Sequence, residues 1–340
     1  MTGGDGLTRR YYSVEALRRG ARRALPRVLF DFCDGAAEDE ITLRRNESDF
    51  DAYELLPRMC TNVAERDLSV ELFGKRLAFP VIIGPTGLSG ALWPDGETCA
   101  ARAAAAAGTV YVQSHGSTCT IEELGQAQPS NRWFQVFLYR DRKLTQSFVE
   151  RAQGAGAEAL VLTIDNQVLG QRERDIENGF TIPPRVTVRN AFDMTLRLPW
   201  IRRMAGRTIT FANYKGAGTG DDVRSLGAFI GQMLDPGLSW PDVAWVRSLW
   251  RGPFLLKGIL HPDDARTALD LGVDGLIVSN HGGRQLDTAV SSARALPRVA
   301  EAVAGRAPVL IDGGIRRSTE VVKALGLGAT ACQIGRPPQW

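Results

Sequence analysis

The feature that most constrains this sequence is the alternation of eight short apolar runs with segments of helical pattern. The runs cover residues 81–84, 110–113, 133–137, 160–164, 254–257, 275–279, 309–312 and 331–334. Continuously apolar runs are typical of parallel strands that helices cover on both faces. Eight strand–helix repeats predict a closed (β/α)8 TIM barrel, an α/β fold. A six-stranded doubly wound sheet is the alternative.

Six segments between the runs have the composition and boundaries of helices. They cover residues 95–107, 121–127, 143–152, 262–271, 292–304 and 318–325. The clearest is the alanine-rich segment 95–107, with Pro94 at its start and Gly108 as a stop signal.

The 340 residues exceed the ~250 of a simple barrel, which leaves room for two additions. Residues 1–80 are expected to form an N-terminal extension that packs on a barrel of residues 81–340, with a basic helix over 14–25. Residues 184–240, after the fourth strand, are too long for an ordinary connection. They are expected to form a mobile or membrane-associating insertion.

The chain continues for only six residues after the eighth strand, over 335–340. The final barrel helix is therefore expected to be missing. Another element or a neighbouring subunit would then cover that face, which favours a homo-oligomer.

Composition excludes several classes of function. The formal net charge is +3, from 41 basic and 38 acidic residues, which gives no support for nucleic-acid binding. The five cysteines contain no C-x-x-C pair, so neither a metal site nor a disulfide framework is expected. No apolar leader or membrane-spanning run is present, which predicts a cytoplasmic location.

Polar or glycine-containing clusters follow every apolar run, at the strand ends where barrel enzymes carry their active sites. The last two clusters predict a phosphate site. Gly313 and Gly314 would let the backbone approach an anion, Arg316 would donate to it, and Gly335 with Arg336 repeats the pattern. Two tight turns with exposed arginines are the alternative.

His281, at the end of the sixth run, is the clearest candidate for a catalytic base. Arg284 follows three residues later as a carboxylate ligand, and Asp165 could stabilise the imidazolium that forms on His281. A capped core histidine with a helix-capping aspartate is the alternative. His115 and His261 lack such neighbours in the sequence.

Lys257 ends the fifth run and must either find an anion or shift its pKa. A Schiff-base lysine and a structural ion pair both remain open for it.

The segment 279–287, Ser-Asn-His-Gly-Gly-Arg-Gln-Leu-Asp, resembles the signature of the FMN-dependent α-hydroxy-acid oxidases and dehydrogenases. The resemblance extends over almost the whole chain. Segments 83–94 and 184–257 are most similar to the mandelate and L-lactate dehydrogenases of that family.

The resemblance implies FMN bound across the barrel mouth. Pro85, Thr86 and Gly87 would lie near flavin N5, and Ser114, Gln135, Thr163 and Ser279 would lie around the ring system. Lys257 would lie at N1 and O2. The ribityl chain and phosphate would be held by Asp312, Gly313, Gly314, Ile315, Arg316, Gly335 and Arg336.

The resemblance also implies oxidation of an (S)-2-hydroxy acid to the 2-oxo acid. Arg284 and Arg172 would bind the carboxylate, His281 would remove a proton, and Asp165 would stabilise the imidazolium. The electrons would pass to a quinone or to oxygen, and the protein would be a homo-tetramer.

The sequence departs from the family at two substrate-contacting tyrosines, which are Phe32 and Phe137 here. Each lost hydrogen bond to a charged group costs about 1.5–3 kcal/mol, so binding of the carboxylate is expected to be weaker. An aromatic, mandelate-like 2-hydroxy acid is the preferred substrate. An ester, amide or carrier-bound hydroxyacyl group is the alternative. A catalytically weak flavin-binding protein and a flavin-free phosphate-sugar enzyme are further alternatives.

The insertion is rich in basic residues. From 185 to 215 it contains Arg185, Arg189, Arg197, Arg202, Arg203, Arg207 and Lys215 against one acidic residue, Asp193. With Trp200, Ile201 and Phe211 interleaved, this pattern predicts peripheral attachment to the inner face of an anionic membrane. A solvated active-site lid is the alternative.

Overall fold

The computed structural model describes residues 9–180, 188–214 and 232–340, and it has a closed barrel of eight parallel strands at its centre. The strands are β3 (Val81–Ile83), β4 (Tyr111–Ser114), β5 (Arg132–Phe137), β6 (Leu160–Thr163), β7 (Phe254–Ile259), β8 (Gly275–Val278), β9 (Val309–Asp312) and β10 (Ala331–Ile334). Strand β10 pairs with β3 and closes the barrel. The predicted TIM barrel is confirmed, and the doubly wound alternative is excluded.

Helices cover the outside of the barrel. They are α4 (Ser89–Leu92), α5 (Gly96–Ala106), α6 (Ile121–Ala127), α7 (Arg142–Gly154), α11 (Trp240–Leu249), α12 (Pro262–Asp270), α13 (Ser292–Val303) and α14 (Ser318–Gly326). The six helices predicted from the sequence are all present, and no end differs by more than two residues. Pro94 lies before α5 rather than in its first turn, because Asp95 caps that helix in a left-handed conformation with φ +55°.

Two layers of side chains fill the barrel. Near the N-terminal ends of the strands the interior is apolar. Its members are Ile82, Val112, Trp133, Val161, Leu255, Ile277, Leu310 and Ala331. The hairpin of β1 (Val70–Leu72) and β2 (Lys75–Leu77) packs against this layer through Leu72 and Leu77.

The second layer is formed by the residue that lies two positions further along each strand. Because strand side chains alternate with a period of two, each of these residues shares a face with an apolar one. The layer consists of Gly84, Ser114, Gln135, Thr163, Lys257, Ser279, Asp312 and Gln333. The barrel interior therefore changes from apolar to polar over two residues of each strand.

The N-terminal segment lies across the polar end of the barrel. It contains α1 (Val14–Ala24), α2 (Arg27–Asp34) and α3 (Ile41–Ser48). The carboxylate of Asp287 accepts from the first two backbone N–H groups of α3, and the buried side-chain amides of Asn46 and Asn280 bond to each other at 2.8 and 2.7 Å. These contacts fix α3 against the loop that follows β8.

Part of the insertion packs on the barrel as well. Its described residues contain α9 (Val188–Thr195), α10 (Leu198–Met204) and a 3-10 turn (Ala212–Tyr214), and the short helix α8 (Glu173–Glu177) precedes it in the chain. Trp200 and Phe211 are 9% and 8% exposed, and Trp200 Nε1 donates to the carbonyl of Ala91. Ile201 is half-buried against the main core.

The rings of Trp200 and Phe211 therefore do not face a membrane, and membrane attachment of the insertion stays a prediction. Packing on the barrel removes their apolar surface from water within the protein itself. Arg185, Lys215 and the side chain of Arg189 lie outside the described residues. Among the described residues, no helix has the length and apolar character needed to cross a membrane.

After β10 the chain forms the one-turn helix α15 (Arg336–Gln339), where no eighth helix was predicted. The turn packs on α1 and α2, and the thiol of Cys33 lies 3.0 Å from Gln339 Oε1. The Trp340 ring lies within cation–π distance of both Arg18 and Arg316.

Replacing Gly314 with alanine is expected to lower the free energy of unfolding by about 2–4 kcal/mol. Gly314 has φ +81°, and an added Cβ would lie 1.8 Å from the carbonyl oxygen of Asn46 in α3. Urea unfolding followed by tryptophan fluorescence measures the loss.

Gly305→Ala is the matched control. Gly305 has φ +72° but no described atom within 4 Å of an added Cβ, so only the conformational cost of about 1 kcal/mol is expected. Equal losses in the two variants would contradict the importance of the α3 contact.

Candidate active site

The polar layer forms the floor of a cavity of about 750 Å³ at the C-terminal ends of the strands. Its volume is within the usual range for small-molecule and cofactor sites. The cavity brings together Phe32, Pro85, Thr86, Gly87, Ser114, Gln135, Phe137, Thr163, Arg172, Lys257, His281, Arg284, Asp312, Gly313, Gly314, Ile315, Arg316, Gly335 and Arg336. Two further predicted residues lie behind this surface, where Asp165 contacts His281 and Ser279 contacts Lys257.

Hydrogen bonds connect the side chains of the floor. The hydroxyl of Ser114 donates to Gln135 Oε1 at 3.3 Å, and Gln135 Nε2 donates to Thr163 Oγ1 at 3.1 Å. These bonds leave the row of side chains little rotational freedom.

Lys257 is the buried cation of the floor. Its Nζ lies 2.8 Å from Asp312 Oδ2 and 2.9 Å from Ser279 Oγ. Burial alone would lower the pKa of Lys257, but Asp312 and Asp165 together raise it above its usual value. The amine therefore stays protonated, which favours the ion pair over the Schiff-base alternative.

His281 and Asp165 form a hydrogen-bonded pair at the edge of the cavity. The imidazole Nδ1 lies 2.9 Å from Asp165 Oδ1. His281 has a left-handed backbone (φ +59°), and its backbone N–H donates to Ser279 Oγ at 3.0 Å. Gly282 and Gly283 continue the turn at positive φ. An added Cβ would also lie 2.7 Å from Arg336 Nη1 at Gly282 and 2.7 Å from the backbone nitrogen of Leu43 in α3 at Gly283.

Burial lowers the pKa of His281 below its usual value, although Asp165 opposes that effect. Lys257 and Arg172 lower it further. The imidazole is thus neutral at physiological pH, with Nδ1 directed to the carboxylate. A neutral imidazole held in this way is a proton acceptor, which is the property that a catalytic base needs.

Three guanidinium groups, those of Arg172, Arg284 and Arg336, belong to the lining of the cavity. Burial and the charge of Arg284 lower the pKa of Arg172 and of Arg336 to about 9, which leaves both protonated at neutral pH. Arg284 Nη1 donates to the carbonyls of Phe32 and Gly35, each at 2.8 Å. Because these buried positive charges repel one another, an anion bound between them would be stabilised.

At the predicted phosphate site, the glycines and arginines also make contacts within the protein. Gly313 and Gly314 have positive φ, and an added Cβ would lie 3.2 Å from the Asn46 side chain at Gly313 and 1.8 Å from the Asn46 carbonyl oxygen at Gly314. Backbone conformation and packing against α3 therefore already favour glycine at both positions. Arg316 pairs with Glu47 at 2.9 Å, and Arg336 donates to three backbone carbonyls. The alternative of two exposed arginines is wrong, because both side chains line the cavity.

Aromatic rings form the apolar wall. Phe32 stacks on Phe180 with ring centroids 4.4 Å apart, and the Arg284 guanidinium lies 5.2 Å from the centroid of Phe32. Phe137 lies between His115 and His281, with centroid distances of 4.2 and 6.3 Å.

The sequence analysis did not predict the hydrogen-bond partners of His115. Its Nδ1 contacts the hydroxyls of Tyr139 and Tyr214, and all three side chains are buried. Tyr214 is 99 residues away in the chain, so no local pattern could have paired the two.

A closed parallel barrel with a His–Asp pair, a buried lysine and a cationic wall defines a barrel enzyme that acts on a small anionic substrate. The family model for FMN-dependent dehydrogenases matches residues 21–340. The chain belongs to that family, whose cofactor is FMN.

Curated relatives support the same assignment. An L-lactate dehydrogenase of Alcaligenes faecalis is 43% identical over 323 residues, which cover 94% of this chain and 85% of that protein. An L-lactate dehydrogenase of Caulobacter sp. (strain K31) is 42% identical over 329 residues, covering 95% and 86%.

Solved structures agree. The monotopic membrane protein (S)-mandelate dehydrogenase superposes with a TM-score of 0.90 at 37% identity, covering 96% of this chain and 87% of that one. A mandelate oxidase variant solved with (S)-mandelic acid has a TM-score of 0.81 at 36% identity, covering 97% and 86%.

The polar layer fits FMN. Asp312 Oδ1 and both amide atoms of Gln333 are buried without hydrogen-bond partners among the described residues. Such atoms are costly unless a ligand or water satisfies them. A flavin offers ring nitrogens, carbonyl oxygens and ribityl hydroxyls as partners, and Lys257 supplies a fixed positive charge in the same layer.

Replacing Asp165 with asparagine is expected to lower the pKa of His281 further, because the carboxylate is what opposes the effect of burial. Nitrogen-15 NMR of histidine-labelled protein measures the titration, and only three histidines contribute signals. Asp242→Asn, which alters an aspartate paired with Arg142 on the outside of the barrel, is the control. An unchanged titration in the Asp165 variant would contradict the coupling of the pair.

Proposed function

We propose that this protein oxidises an (S)-2-hydroxy acid with an aromatic side chain, of the mandelate type, to the 2-oxo acid. The observation that carries the proposal is the neutral His281, held by Asp165 at 2.9 Å, in a cavity whose lining also contains arginines and an apolar aromatic wall. A base, an anion site and an apolar wall are the three features that such a substrate requires.

Each residue has a separate role in the proposed reaction. Arg172 and Arg284 bind the carboxylate and orient the substrate, since guanidinium groups match the geometry of a carboxylate. His281 accepts a proton from the substrate at Nε2, and Asp165 stabilises the imidazolium through Nδ1. FMN, when bound, accepts the two electrons of the oxidation.

The apolar wall supports an aromatic substrate. Phe32, Phe137 and Phe180 present ring surfaces, with Ile176 and Leu169 beside them. Neither Phe32 nor Phe137 can donate a hydrogen bond, so apolar contact supplies part of the affinity that phenols would otherwise give. The names of the solved neighbours, which include a mandelate dehydrogenase and a mandelate oxidase, point to the same substrate class.

Mixing the purified holoenzyme with (S)-mandelate under anaerobic conditions is expected to bleach the flavin absorbance, faster than an equal concentration of L-lactate. Turnover should fall as the pH decreases through the lowered pKa of His281, because a protonated imidazole accepts no further proton. His281→Asn should reduce kcat by about 10²–10⁴-fold.

His261→Asn is the control, since His261 caps α12 on the surface and is remote from the cavity. The free-acid proposal would be overturned if no free 2-hydroxy acid bleaches the flavin but a hydroxy ester or amide does.

We further infer that the insertion attaches the protein peripherally to the inner face of an anionic membrane, where a quinone accepts the electrons. On α9, on the turn that follows it and on α10, the side chains of Phe192, Leu196 and Leu198 are 75%, 59% and 52% exposed, respectively. Arg202 and Arg203 are exposed on the same segment. Apolar side chains next to arginines suit the boundary between lipid headgroups and acyl chains.

Replacing Phe192, Leu196 and Leu198 together with serine is expected to abolish co-sedimentation with vesicles containing anionic phospholipid. The wild type should pellet with those vesicles and be released by high salt. Val322→Ser removes a comparably exposed apolar side chain from α14 and is the control. Equal pelleting of the wild type and the triple variant would contradict this attachment.

A further inference from the structure

Gln333 is a buried polar residue that has no role in the proposed reaction. It lies on β10, is 1% exposed and belongs to the lining of the cavity. Among the described residues, its amide Nε2 and Oε1 both lack a hydrogen-bond partner. Every other polar side chain of the polar layer has at least one, in the bonds that connect Ser114 to Gln135, Gln135 to Thr163, and Lys257 to Ser279 and Asp312.

The side chain of Gln333 is held in place by packing. Strand β10 pairs with β3, and an added Cβ at Gly84, the residue after β3, would lie 2.6 Å from Gln333 Cγ and 3.2 Å from its Oε1. The glycine therefore leaves the space that the Gln333 side chain occupies. A buried amide that no protein group satisfies lowers stability, so its presence in this closely packed floor points to a partner outside the chain.

Asp312 presents a second acceptor next to this amide. It pairs in register with Gln333 across β9 and β10. Its Oδ2 lies 2.8 Å from Lys257 Nζ, whereas its Oδ1 is buried without a partner among the described residues. Two neighbouring side chains thus present two acceptor oxygens and one amide NH2 donor that the described part of the protein does not use.

The chemistry of these groups selects the part of FMN that they can bind. Two acceptor oxygens need two donors, and the ring system of an oxidised flavin carries a single N–H group. The ribityl chain carries several hydroxyls, each of which can donate one hydrogen bond and accept others. The polyol therefore matches Gln333 and Asp312 better than the ring edge does.

The position of the two residues along their strands agrees with this choice. Residues 313–314 directly follow Asp312, and residues 335–336 come one residue after Gln333. Both segments belong to the predicted phosphate site. Because the ribityl chain links the flavin ring to the phosphate, it belongs beside the floor residues at the ends of these two strands.

We propose that the Gln333 carboxamide is a flavin-binding group that donates a hydrogen bond through Nε2 to one ribityl hydroxyl of FMN and accepts another through Oε1, beside Asp312. The proposal uses the cofactor of the family and is independent of the substrate, so the identity of the hydroxy acid does not affect it. Gln333 is thus a determinant of flavin affinity.

Gln333→Met keeps the length of the side chain and removes both polar atoms. Loss of two hydrogen bonds in a buried site is expected to raise the Kd for FMN by about ten- to a hundredfold. Equilibrium dialysis of the holoenzyme measures this Kd through the flavin absorbance and needs no turnover. A folded variant with the wild-type Kd would overturn the proposal.

Gln113→Met is the matched control. Gln113 is fully buried on β4, but it faces away from the barrel interior, and its Nε2 donates to the carbonyl of Thr120 at 3.1 Å. This variant is expected to lower the thermal unfolding midpoint and to leave the Kd for FMN unchanged. An equal rise of the Kd in both variants would mean a general loosening of the barrel and would overturn the proposal.

Flavin analogues identify the group that Gln333 contacts. The wild type and Gln333→Met are dialysed against 2′-, 3′- and 4′-deoxy-FMN, and separately against N3-methyl-FMN. Removal of the contacted hydroxyl is expected to weaken binding to the wild type more than binding to the variant, because the two losses are then coupled. Coupling to the N3-methyl group alone, or to none of the analogues, would overturn the ribityl contact.

A crystal structure of the wild-type holoenzyme decides the question even if Gln333→Met does not fold. The Gln333 amide is expected to lie about 2.7–3.2 Å from ribityl oxygens. An amide bonded only to water or to protein groups, with the ribityl chain out of reach, would overturn the proposal.

Discussion

The change from an apolar to a polar layer inside the barrel is the constraint on which the rest of the site depends. Each strand contributes an apolar side chain to the lower layer and, two residues later, a polar one or a glycine to the upper layer. The lower layer and the β1–β2 hairpin exclude water from below. Lys257 can be buried above it because Asp312 and Ser279 contact its ammonium group, since an unpaired buried charge would be too costly.

The N-terminal segment is part of this arrangement rather than an external addition. In the 279–287 motif, His281 and Arg284 face the cavity, whereas Asn280 and Asp287 bind α3. One short stretch of sequence thus carries both the reactive groups and the contacts that orient them. The same helix explains why Gly283 and Gly314 leave no room for a side chain.

The parts of the structure that the sequence predicted are those set by local pattern. Continuously apolar runs identified all eight barrel strands, and the strand ends identified His281, Asp165 and Lys257. The FMN-dependent family was recognised from the motif around His281 and is confirmed. The roles assigned to individual residues at the cavity stay predictions.

Long-range packing accounts for what the sequence did not predict. Trp200 and Phe211 are typical of a membrane-facing segment by composition, yet the barrel buries them. The hydroxyls around His115 come from different elements, so no spacing could bring them together.

The position of Tyr214 has a consequence for protein engineering. The peptide that carries the exposed side chains of α9 and α10 continues into Phe211 and Tyr214, which contact the cavity and the His115 imidazole. Excising the whole insertion to obtain a more soluble derivative would also remove a wall of the pocket and a fixed hydroxyl. Substitutions for this purpose are better confined to the exposed faces of α9 and α10. The segment from Phe211 to Tyr214 should keep its native sequence.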